Sequence, residues 1–407
     1  MSLSTEDNEL LCRIEGQAPM GIALRENFWI PALLSDSLVA GGKPLPSRLF
    51  GENFVAFRAT DGRVGFFDEL CPHRGASLLL ARNEDNALRC IYHGWKYDVS
   101  GKTVEVPTEP RNPEAFCRTV PLKHYPVHEA AGIVFVWLGR SAPQPFPDFE
   151  FTTLPPDHTY ATKQLLRCNW LQNVEAGMDS AHVSVLHQAW AGGGPNLIPS
   201  FIGDDQAPIY EFENFPGGFR YAALRNVRAG GKYVRINNFV MPWFCLIAPS
   251  KFPDGDRLVL LTTPIDDYHT FYWNLKYNPF KPLSPSIHNP ADDPDNFPPP
   301  TMGGRENAWG QDRAAMARGH FSGFGHLNTE DFAVCESQGK MADRSKEYLN
   351  SGDLAVVRVR QLLLDLVGRQ RSGAVDSAHP HGEIRYNQIR ALADILTDKN
   401  EWRSLVA

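Results

Sequence analysis

Residues 71–94 read CPHRGASLLLARNEDNALRCIYHG and contain two cysteine–histidine pairs. The pairs are Cys71 with His73 and Cys90 with His93, and the cysteine comes first in both. Structural zinc sites group cysteine with cysteine and histidine with histidine, so this order disfavours a Cys2His2 zinc site. Two thiolates and two imidazoles suit two iron atoms bridged by sulfide, with both cysteines on one iron and both histidines on the other. The spacing therefore predicts an iron–sulfur cluster held by two loops.

The residues that flank the pairs sharpen this prediction. Gly75 and Gly94 follow the histidines, where a loop must approach the cluster closely and a Cβ would interfere. With Trp95, the two loops resemble the Rieske [2Fe–2S] signature. Neutral histidine ligands leave such a cluster less negative than four thiolates would, which raises its potential into a range suited to relaying single electrons. A Rieske cluster by itself implies only electron transfer.

Length, charge and cysteine content narrow the class of protein. The chain has 407 residues, so two or three domains are expected. A net charge of −7 disfavours nucleic acid or an anionic membrane as partner, because phosphate binding needs a basic surface. Five of the seven cysteines lie outside the two loops and show no pairing pattern, which argues against a secreted disulfide framework. No signal peptide or membrane-spanning segment is visible. We therefore expect a cytoplasmic protein.

The pattern of turns and apolar runs changes along the chain. Short strands broken by turn signals predict an all-β domain over residues 25–145. Prolines cluster between 143 and 156 and mark the boundary to a second domain over residues 146–407. A helical segment over 169–188 and longer strands between 220 and 276 predict an α+β domain with an antiparallel sheet. Three further helices are predicted over 329–349, 354–367 and 384–396.

The helical segment contains acids and histidines at suggestive spacings. Glu175, Asp179 and His182 stand at i, i+4 and i+7, so a regular helix would place all three on one stripe. His187 follows His182 by five residues, about 140° further round an ideal helix. The two histidines can therefore bind one metal only if the helix is distorted or ends between them.

A Rieske domain followed by Asp179, His182 and His187 at this spacing resembles the oxygenase (alpha) subunit of the Rieske non-haem iron oxygenases. The resemblance covers nearly the whole chain and implies a helix-grip (START/Bet v1-like) catalytic domain. It also implies a mononuclear Fe(II) held by two histidines and one carboxylate, with open positions for dioxygen. His182 and His187 match the iron ligands, and Asp331 matches the third. Its neighbour Glu330 is the rival, and both acids could merely favour the start of a helix.

The resemblance gives Asp179 a different role. In this family, electrons cross from the cluster of one subunit to the iron of its neighbour, through an aspartate bonded to a histidine of each site. Asp179 would thus link His93 of one subunit to His182 of the next, which requires an oligomer. Family members are cyclic trimers, some of them stacked as hexamers. A simple salt bridge within the chain is the alternative. With Asp179, we predict Glu175 as a catalytic residue.

Glu175 also helps to place the chain within the family. Many ring-hydroxylating members have asparagine at this position. Together with residues 169–172 (NWLQ) and 343–347 (DRSKE), Glu175 makes the chain resemble the phthalate dioxygenase-like branch. That branch includes phthalate and phenoxybenzoate dioxygenases and aromatic O-demethylases. The resemblance implies hydroxylation of an aromatic, carboxylated substrate, with electrons from a flavin and [2Fe–2S] reductase, or from ferredoxin plus reductase.

Dihydroxylation and O-demethylation stay open as reactions, because both would use the same residues. A Rieske electron carrier without catalytic activity is the competing class. The chain has no Gly-x-Gly-x-x-Gly motif between a strand and a helix, so we expect NADH to bind a separate reductase.

Two arginines give the best sequence indication of a substrate site. If Ala229-Gly230-Gly231 forms a three-residue turn, Arg225 faces Arg235 across a pair of strands. Like charges directly opposed are destabilising unless both face water or an anion lies between them. Paired arginines in a pocket would suit an aromatic carboxylate, whereas a one-residue shift in register would put them on opposite faces.

Overall fold

The computed structural model describes residues 2–191, 198–249, 255–284, 303–373, 379–397 and 401–406. The chain divides into two compact units, Arg25–Phe146 and a second unit that joins Met1–Leu24 to Pro147–Ala407. The attachment of the first 24 residues to the C-terminal unit was not predicted from the sequence. Among the described helices, none is long and apolar enough to cross a membrane. The helices are α1 (Thr5–Cys12), α2 (Pro19–Asn27), α3 (Pro113–Cys117), α4 (Trp170–Met178), α5 (Arg313–Ala317), α6 (Leu327–Ser337) and α7 (Leu354–Ser372).

The unit Arg25–Phe146 is built from three small antiparallel sheets, in agreement with the predicted all-β domain. Its strands are β1 (Trp29–Leu34), β2 (Leu45–Leu49), β3 (Glu52–Arg58), β4 (Val64–Asp68), β5 (Arg82–Glu84), β6 (Ala87–Arg89), β7 (Lys96–Asp98), β8 (Thr103–Glu105), β9 (Val127–Ala130) and β10 (Ile133–Trp137). The strand orders are β1-β10-β9, β2-β3-β4 and β5-β6-β7-β8. Phe57 and Leu88 pack in one apolar core with Cys71 and Cys90. The two cysteine loops are therefore anchored directly in the core of this unit.

The second unit contains one large antiparallel sheet. Its strands are β11 (Thr159–Leu166), β12 (Ile209–Phe215), β13 (Gly218–Asn226), β14 (Lys232–Val240), β15 (Phe244–Ile247), β16 (Arg257–Asp266), β17 (His269–Tyr277) and β18 (Leu392–Leu396). Their order is β11-β17-β16-β15-β14-β13-β12, and β18 pairs with β14. Helix α4 lies against β15, β16 and β17, and α6 lies against α4. This sheet with packed helices confirms the predicted α+β class.

The predicted helix over residues 384–396 is wrong, because its last part forms strand β18. The short strand β15 pairs only with Asn238–Val240 of β14, which leaves Lys232–Ile236 without a partner on that side. Strand β18 pairs antiparallel with those five residues and satisfies their backbone groups. The predicted helix over 329–349 is also too long, because α6 ends at Ser337. Helix α7 runs to Ser372, beyond the predicted end.

Helix α4 ends before the two histidines. Asn169 caps its N-terminus by accepting a hydrogen bond from the Leu171 N–H, and the residue after Met178, Asp179, is extended with φ −80° and ψ 112°. His182 then starts a separate turn of 3-10 helix. The predicted stripe of Glu175, Asp179 and His182 is therefore wrong beyond the helix end. The sequence predicted a helix that is distorted or ends between the two histidines, whereas α4 ends before both of them, which frees the histidines from helical spacing.

Candidate metal centres and substrate site

The two cysteine–histidine loops share one backbone turn. In each loop the cysteine N–H donates to the carbonyl oxygen five residues later, at 2.8 Å. The glycine four residues after the cysteine donates its N–H back to the cysteine carbonyl, at 2.9 Å. Gly75 and Gly94 have φ values of +73° and +74°, a region that side chains with a Cβ rarely adopt. The turn therefore requires glycine at both positions.

These loops present two thiols and two imidazoles from one place. Cys71 and Cys90 are buried and free of disulfide bonds, whereas His73 and His93 are half-buried. The two imidazole rings lie 4.4 Å apart between centroids, and Trp95 stacks on His73 at 4.3 Å with 6° between the planes. The His93 Nδ1 atom is buried and lacks a hydrogen-bond partner among the described residues. A donor set with an unsatisfied imidazole nitrogen fits a [2Fe–2S] cluster.

Tyr97 is a further neighbour of the cluster loops that the sequence did not indicate. Its hydroxyl lies 3.1 Å from the Cys71 Sγ atom, and its side chain is buried. Burial, together with the hydrogen bond to Cys71, raises the pKa of Tyr97 well above its usual value. The hydroxyl therefore keeps its proton and can donate a hydrogen bond to a Cys71 thiolate. Tyr97 reaches this position because β7 begins just after the second loop.

In the second unit, His182, His187 and Asp331 meet although they come from different segments. One ligand atom of each lies within 4.8 Å of the other two. The Asp331 Oδ1 atom is 3.0 Å from His187 Nε2 and 3.7 Å from His182 Nε2. Asp331 is placed there by α6, which packs on the sheet through Phe332 and Tyr272. Two imidazoles and one carboxylate form the donor set of a facial triad, so these residues fit a mononuclear iron.

The opposite nitrogen of each histidine faces a second carboxylate. The Asp179 Oδ2 atom lies 3.3 Å from His182 Nδ1, and the Glu330 Oε2 atom lies 2.5 Å from His187 Nδ1. Asp331 rather than its rival Glu330 thus faces the Nε2 atoms. A carboxylate accepts but does not donate, so in the neutral ring that binds a metal the proton stays on Nδ1, and the Nε2 lone pair is left for a metal shared with Asp331.

Neighbouring charges favour the ionised forms of His187 and Asp331. Burial opposes a charge on His187, but Asp331 and Glu330 outweigh it and raise the pKa of this imidazole to about 9. Burial would likewise raise the pKa of Asp331, but His187 and then His182 lower it below its usual value. At neutral pH the Asp331 carboxylate is therefore available as an anionic ligand, and protons compete with a metal for His187.

The sequence predicted that Arg225 faces Arg235 directly if the turn has three residues. In the structure the two arginines do not face each other directly. The turn is longer than three residues, so Arg225 pairs with Tyr233, and Arg235 pairs with Ala223. The shift amounts to two residues rather than one, and the two arginines therefore remain diagonal neighbours on the same face of the sheet. Both are buried, with 2% and 3% of their surface exposed.

The environment of these arginines is cationic. Arg225 donates through Nη2 to the carbonyl of Ser180, at 2.6 Å, between Asp179 and His182 in sequence. Burial and then the charge of Arg235 lower the pKa of Arg225 to about 10. Within the described ranges, the Nε and Nη1 atoms of both arginines are buried without a hydrogen-bond partner, and neither arginine forms a salt bridge. Two buried cations with open donors fit an anionic ligand.

Glu175 lies in a buried ion cluster rather than beside either histidine. Its carboxylate accepts hydrogen bonds from Arg344 and Arg360, at 2.8 Å and 2.6 Å from their Nε atoms. Arg360 also binds Glu347, and Arg344 reaches Asn8 of α1. This arrangement indicates that Glu175 positions α4 within its unit, and a catalytic role for Glu175 stays a prediction. The arginines lie far from Glu175 in sequence, so spacing alone could not reveal them.

Comparisons with known proteins identify the family of the chain. A family model described as Rieske [2Fe-2S] domain matches residues 28–126, and one described as LigXa C-terminal domain like matches residues 136–407. The chain is 37% identical to the phthalate 4,5-dioxygenase oxygenase subunit of Pseudomonas putida, over 100% of this chain and 95% of that protein. The chain belongs to the Rieske oxygenase family.

Further relatives of this Rieske oxygenase show the range of the family. The 5,5'-dehydrodivanillate O-demethylase oxygenase subunit of Sphingobium sp. (strain NBRC 103272 / SYK-6) is 34% identical, over 89% of this chain and 80% of that protein. The structure of dicamba monooxygenase bound to dicamba has the same fold, with a TM-score of 0.62 at 20% identity over 86% of this chain and 99% of that one.

Membership confirms the predicted family, enzyme class and cofactors of the chain. This Rieske oxygenase is the terminal oxygenase component of a multicomponent system that needs a reductase or ferredoxin. Its cofactors are a [2Fe–2S] cluster and a mononuclear iron. The competing interpretation as a Rieske electron carrier without catalytic activity does not agree with the similarity of the whole chain to an oxygenase subunit.

Proposed function

We propose that this Rieske oxygenase hydroxylates an aromatic carboxylate, which Arg225 and Arg235 hold beside an iron bound by His182, His187 and Asp331. In the same proposal, Cys71, His73, Cys90 and His93 bind the [2Fe–2S] cluster. When bound, the iron supplies dioxygen activation and the cluster supplies single electrons. The observation that carries the proposal is the pair of buried guanidinium groups that have open donors and form no salt bridge among the described residues.

A carboxylate between the arginines would relieve several unfavourable terms at once. Each buried guanidinium loses hydration, and the two repel each other, as the lowered pKa of Arg225 shows. The Tyr210 and Tyr233 hydroxyls are also buried and lack hydrogen-bond partners among the described residues, so they add donors to the same face. Because Arg225 is bonded to the Ser180 carbonyl, a carboxylate on Arg225 would place its ring near the His182 segment. In this proposal the two arginines bind and orient the carboxylate of the substrate.

The test compares substrates with and without a carboxylate in wild-type and variant enzymes. We expect the wild-type holoenzyme, supplied with a reductase, to consume phthalates or benzoates. Its kcat/KM for these acids should be at least about 100-fold higher than its kcat/KM for the matching amides, because the amides lose a bidentate charged contact. Arg225→Met and Arg235→Met should remove most of this preference. Arg228→Met is the matched control, because Arg228 lies in the same hairpin but is exposed. Equal use of acids and amides by wild-type enzyme would refute the proposal.

The same turnover experiment separates the two possible reactions. A methoxylated aromatic acid that yields formaldehyde indicates O-demethylation, for which the relationship to an O-demethylase subunit is the supporting observation. A diol product without formaldehyde indicates dihydroxylation, which the relationship to a phthalate dioxygenase supports.

We also propose that Asp179 links His93 of one subunit to His182 of the next in a cyclic trimer, so that electrons pass from the cluster of one subunit to the iron of its neighbour. This route requires an oligomer. One oxygen of Asp179 accepts the Ala181 N–H at 2.7 Å, and the other lies beside His182. Its side chain remains 26% exposed in the single chain, and the cluster residue His93 is only half-buried. Asp179→Asn should leave the cluster reducible but slow its reoxidation in the presence of substrate and dioxygen. Light scattering should give the mass of a trimer.

In the same proposal the electron donor is a flavin and [2Fe–2S] reductase, and the enzyme is cytoplasmic.

A further inference from the structure

We propose that Glu330 is a positioning residue that fixes the ring of His187 so that its Nε2 atom faces the metal. The inference rests on the proposed iron site of His182, His187 and Asp331. It gives the two adjacent acids of α6 separate tasks, with Asp331 as the ligand and Glu330 as the partner of a ligand. Metal-binding histidines commonly donate their other ring N–H to a carboxylate, which sets the tautomer and the ring orientation.

The contact between Glu330 and His187 is short and fully enclosed. The Glu330 Oε2 atom lies 2.5 Å from His187 Nδ1, and no part of the Glu330 side chain is exposed. Its other oxygen, Oε1, accepts a hydrogen bond from the Ser322 hydroxyl. Ser322 is held in turn, because its carbonyl accepts a hydrogen bond from Gln311 Nε2 at 2.6 Å. Both carboxylate oxygens are thus fixed, and the ring of His187 has one favourable orientation.

A role as an ordinary acid at a helix N-terminus does not explain this placement. Helix α6 is capped by His326, whose side chain accepts a hydrogen bond from the Asn328 N–H. Within the described part of the chain, the hydrogen bonds of Glu330 side-chain oxygens go to His187 and Ser322 rather than to the helix backbone. An acid that only complements the helix dipole would lie at the surface, since burial of an unpaired charge is unfavourable.

The two histidines are therefore held in different ways. The Asp179 carboxylate beside His182 is 26% exposed and 3.3 Å away, whereas the Glu330 carboxylate beside His187 is enclosed and 2.5 Å away. We infer that His187 is the fixed ligand of the site. Loss of Glu330 should then weaken metal binding even when the protein remains folded.

The experiment measures binding of Fe(II) to the apo mononuclear site of the cluster-loaded enzyme, by anaerobic titration. We expect Glu330→Ala to weaken binding by about 10- to 100-fold, the range found when the hydrogen-bond partner of a metal ligand is removed. Glu330→Gln should lose less, because its amide oxygen still accepts from Nδ1. Ser322→Ala keeps the contact but frees the carboxylate, so a loss of a few-fold is expected. The absorption spectrum of Co(II) in the site should change for Glu330→Ala.

Two controls separate this inference from the proposed function. Glu336 is another buried acid of α6, and its carboxylate binds Arg167 and Trp309. The variant Glu336→Gln should leave the Fe(II) affinity within twofold of wild type. His187→Ala should abolish tight binding, and unchanged affinity of that variant would instead overturn the proposed iron site. If His187→Ala loses Fe(II) while Glu330→Ala and Ser322→Ala bind it as tightly as wild type does, Glu330 is not a positioning residue.

Discussion

Replacement of Glu175 tests the buried ion cluster that holds α4. The Glu175 carboxylate is bound by Arg344 and Arg360, with Arg344 reaching it through both Nε and Nη2, at 2.8 Å and 2.9 Å. Arg344 is completely buried, so Glu175→Ala leaves it as an uncompensated charge. Removal of one partner from a buried ion pair lowers the free energy of unfolding by about 3–5 kcal/mol. Arg360 retains Glu347, which places our expectation at the lower end of this range.

The assay is urea unfolding of the full chain, followed by circular dichroism. With a urea slope of about 3 kcal/mol per M for a unit of this size, the transition of the second unit should shift by roughly 1 M. The double variant Glu175→Met with Arg344→Met should recover much of the loss, because no charge is then left unpaired between these two positions. A shift below about 0.3 M for Glu175→Ala, or a double variant as unstable as the sum of the single ones, would show that the ion pair does not stabilise α4 in this way.

The pH dependence of this cluster has a definite sign. Burial would raise the pKa of Glu175, but the charges of Arg344 and Arg360 outweigh it and lower the pKa below its usual value. A carboxylate with a lowered folded-state pKa stabilises the protein above its unfolded pKa of about 4.3, and the contribution disappears as the pH falls through the folded value. The destabilisation of Glu175→Gln measured at pH 7 should therefore shrink in acid.

Three further predictions concern the cluster loops and the N-terminus. Tyr97→Phe removes a hydrogen-bond donor to Cys71. If this hydrogen bond stabilises the reduced cluster by about 1 kcal/mol more than the oxidised one, its loss lowers the cluster potential by roughly 40 mV, which voltammetry can measure. An unchanged potential would contradict the contact. Gly94→Ala adds a Cβ 2.8 Å from Pro107 at a positive φ, so the iron and sulfide content of the protein should fall. The control Gly62→Ala adds its Cβ in open space and should retain the cluster. Deletion of α1 should lower the urea midpoint of the second unit, and an unchanged midpoint would show that its contacts contribute little.

The sequence predicted the parts of the fold that depend on short spacings. The cysteine–histidine pairs lie a few residues apart, so their loop chemistry was visible directly. The position of Asp331 came from resemblance, because it meets His187 only through packing of α6 on α4. The end of α4 at Met178 could not be predicted from residues 169–188, where apolar and polar positions continue to suit a helix.

Contacts between distant segments account for the remaining errors. The hairpin that carries Arg225 and Arg235 has a longer turn than its glycines suggested, and its register depends on packing of the whole sheet. Strand β18 was predicted as a helix because its pairing partner, the open side of β14, is about 160 residues earlier. The cluster of Glu175 with Arg344 spans 169 residues, a distance over which residue spacing contains no information.

The attachment of the first 24 residues to the C-terminal unit has a consequence for biosynthesis. Asn8 contacts Arg344, 336 residues later in the chain, so α1 cannot reach its final place until most of the protein has left the ribosome. All residues of the unit Arg25–Phe146 have by then been made, and domains generally fold as units during synthesis. We therefore expect the unit that holds the cysteine loops to fold first, and the histidine–carboxylate site to be completed only when translation is nearly finished.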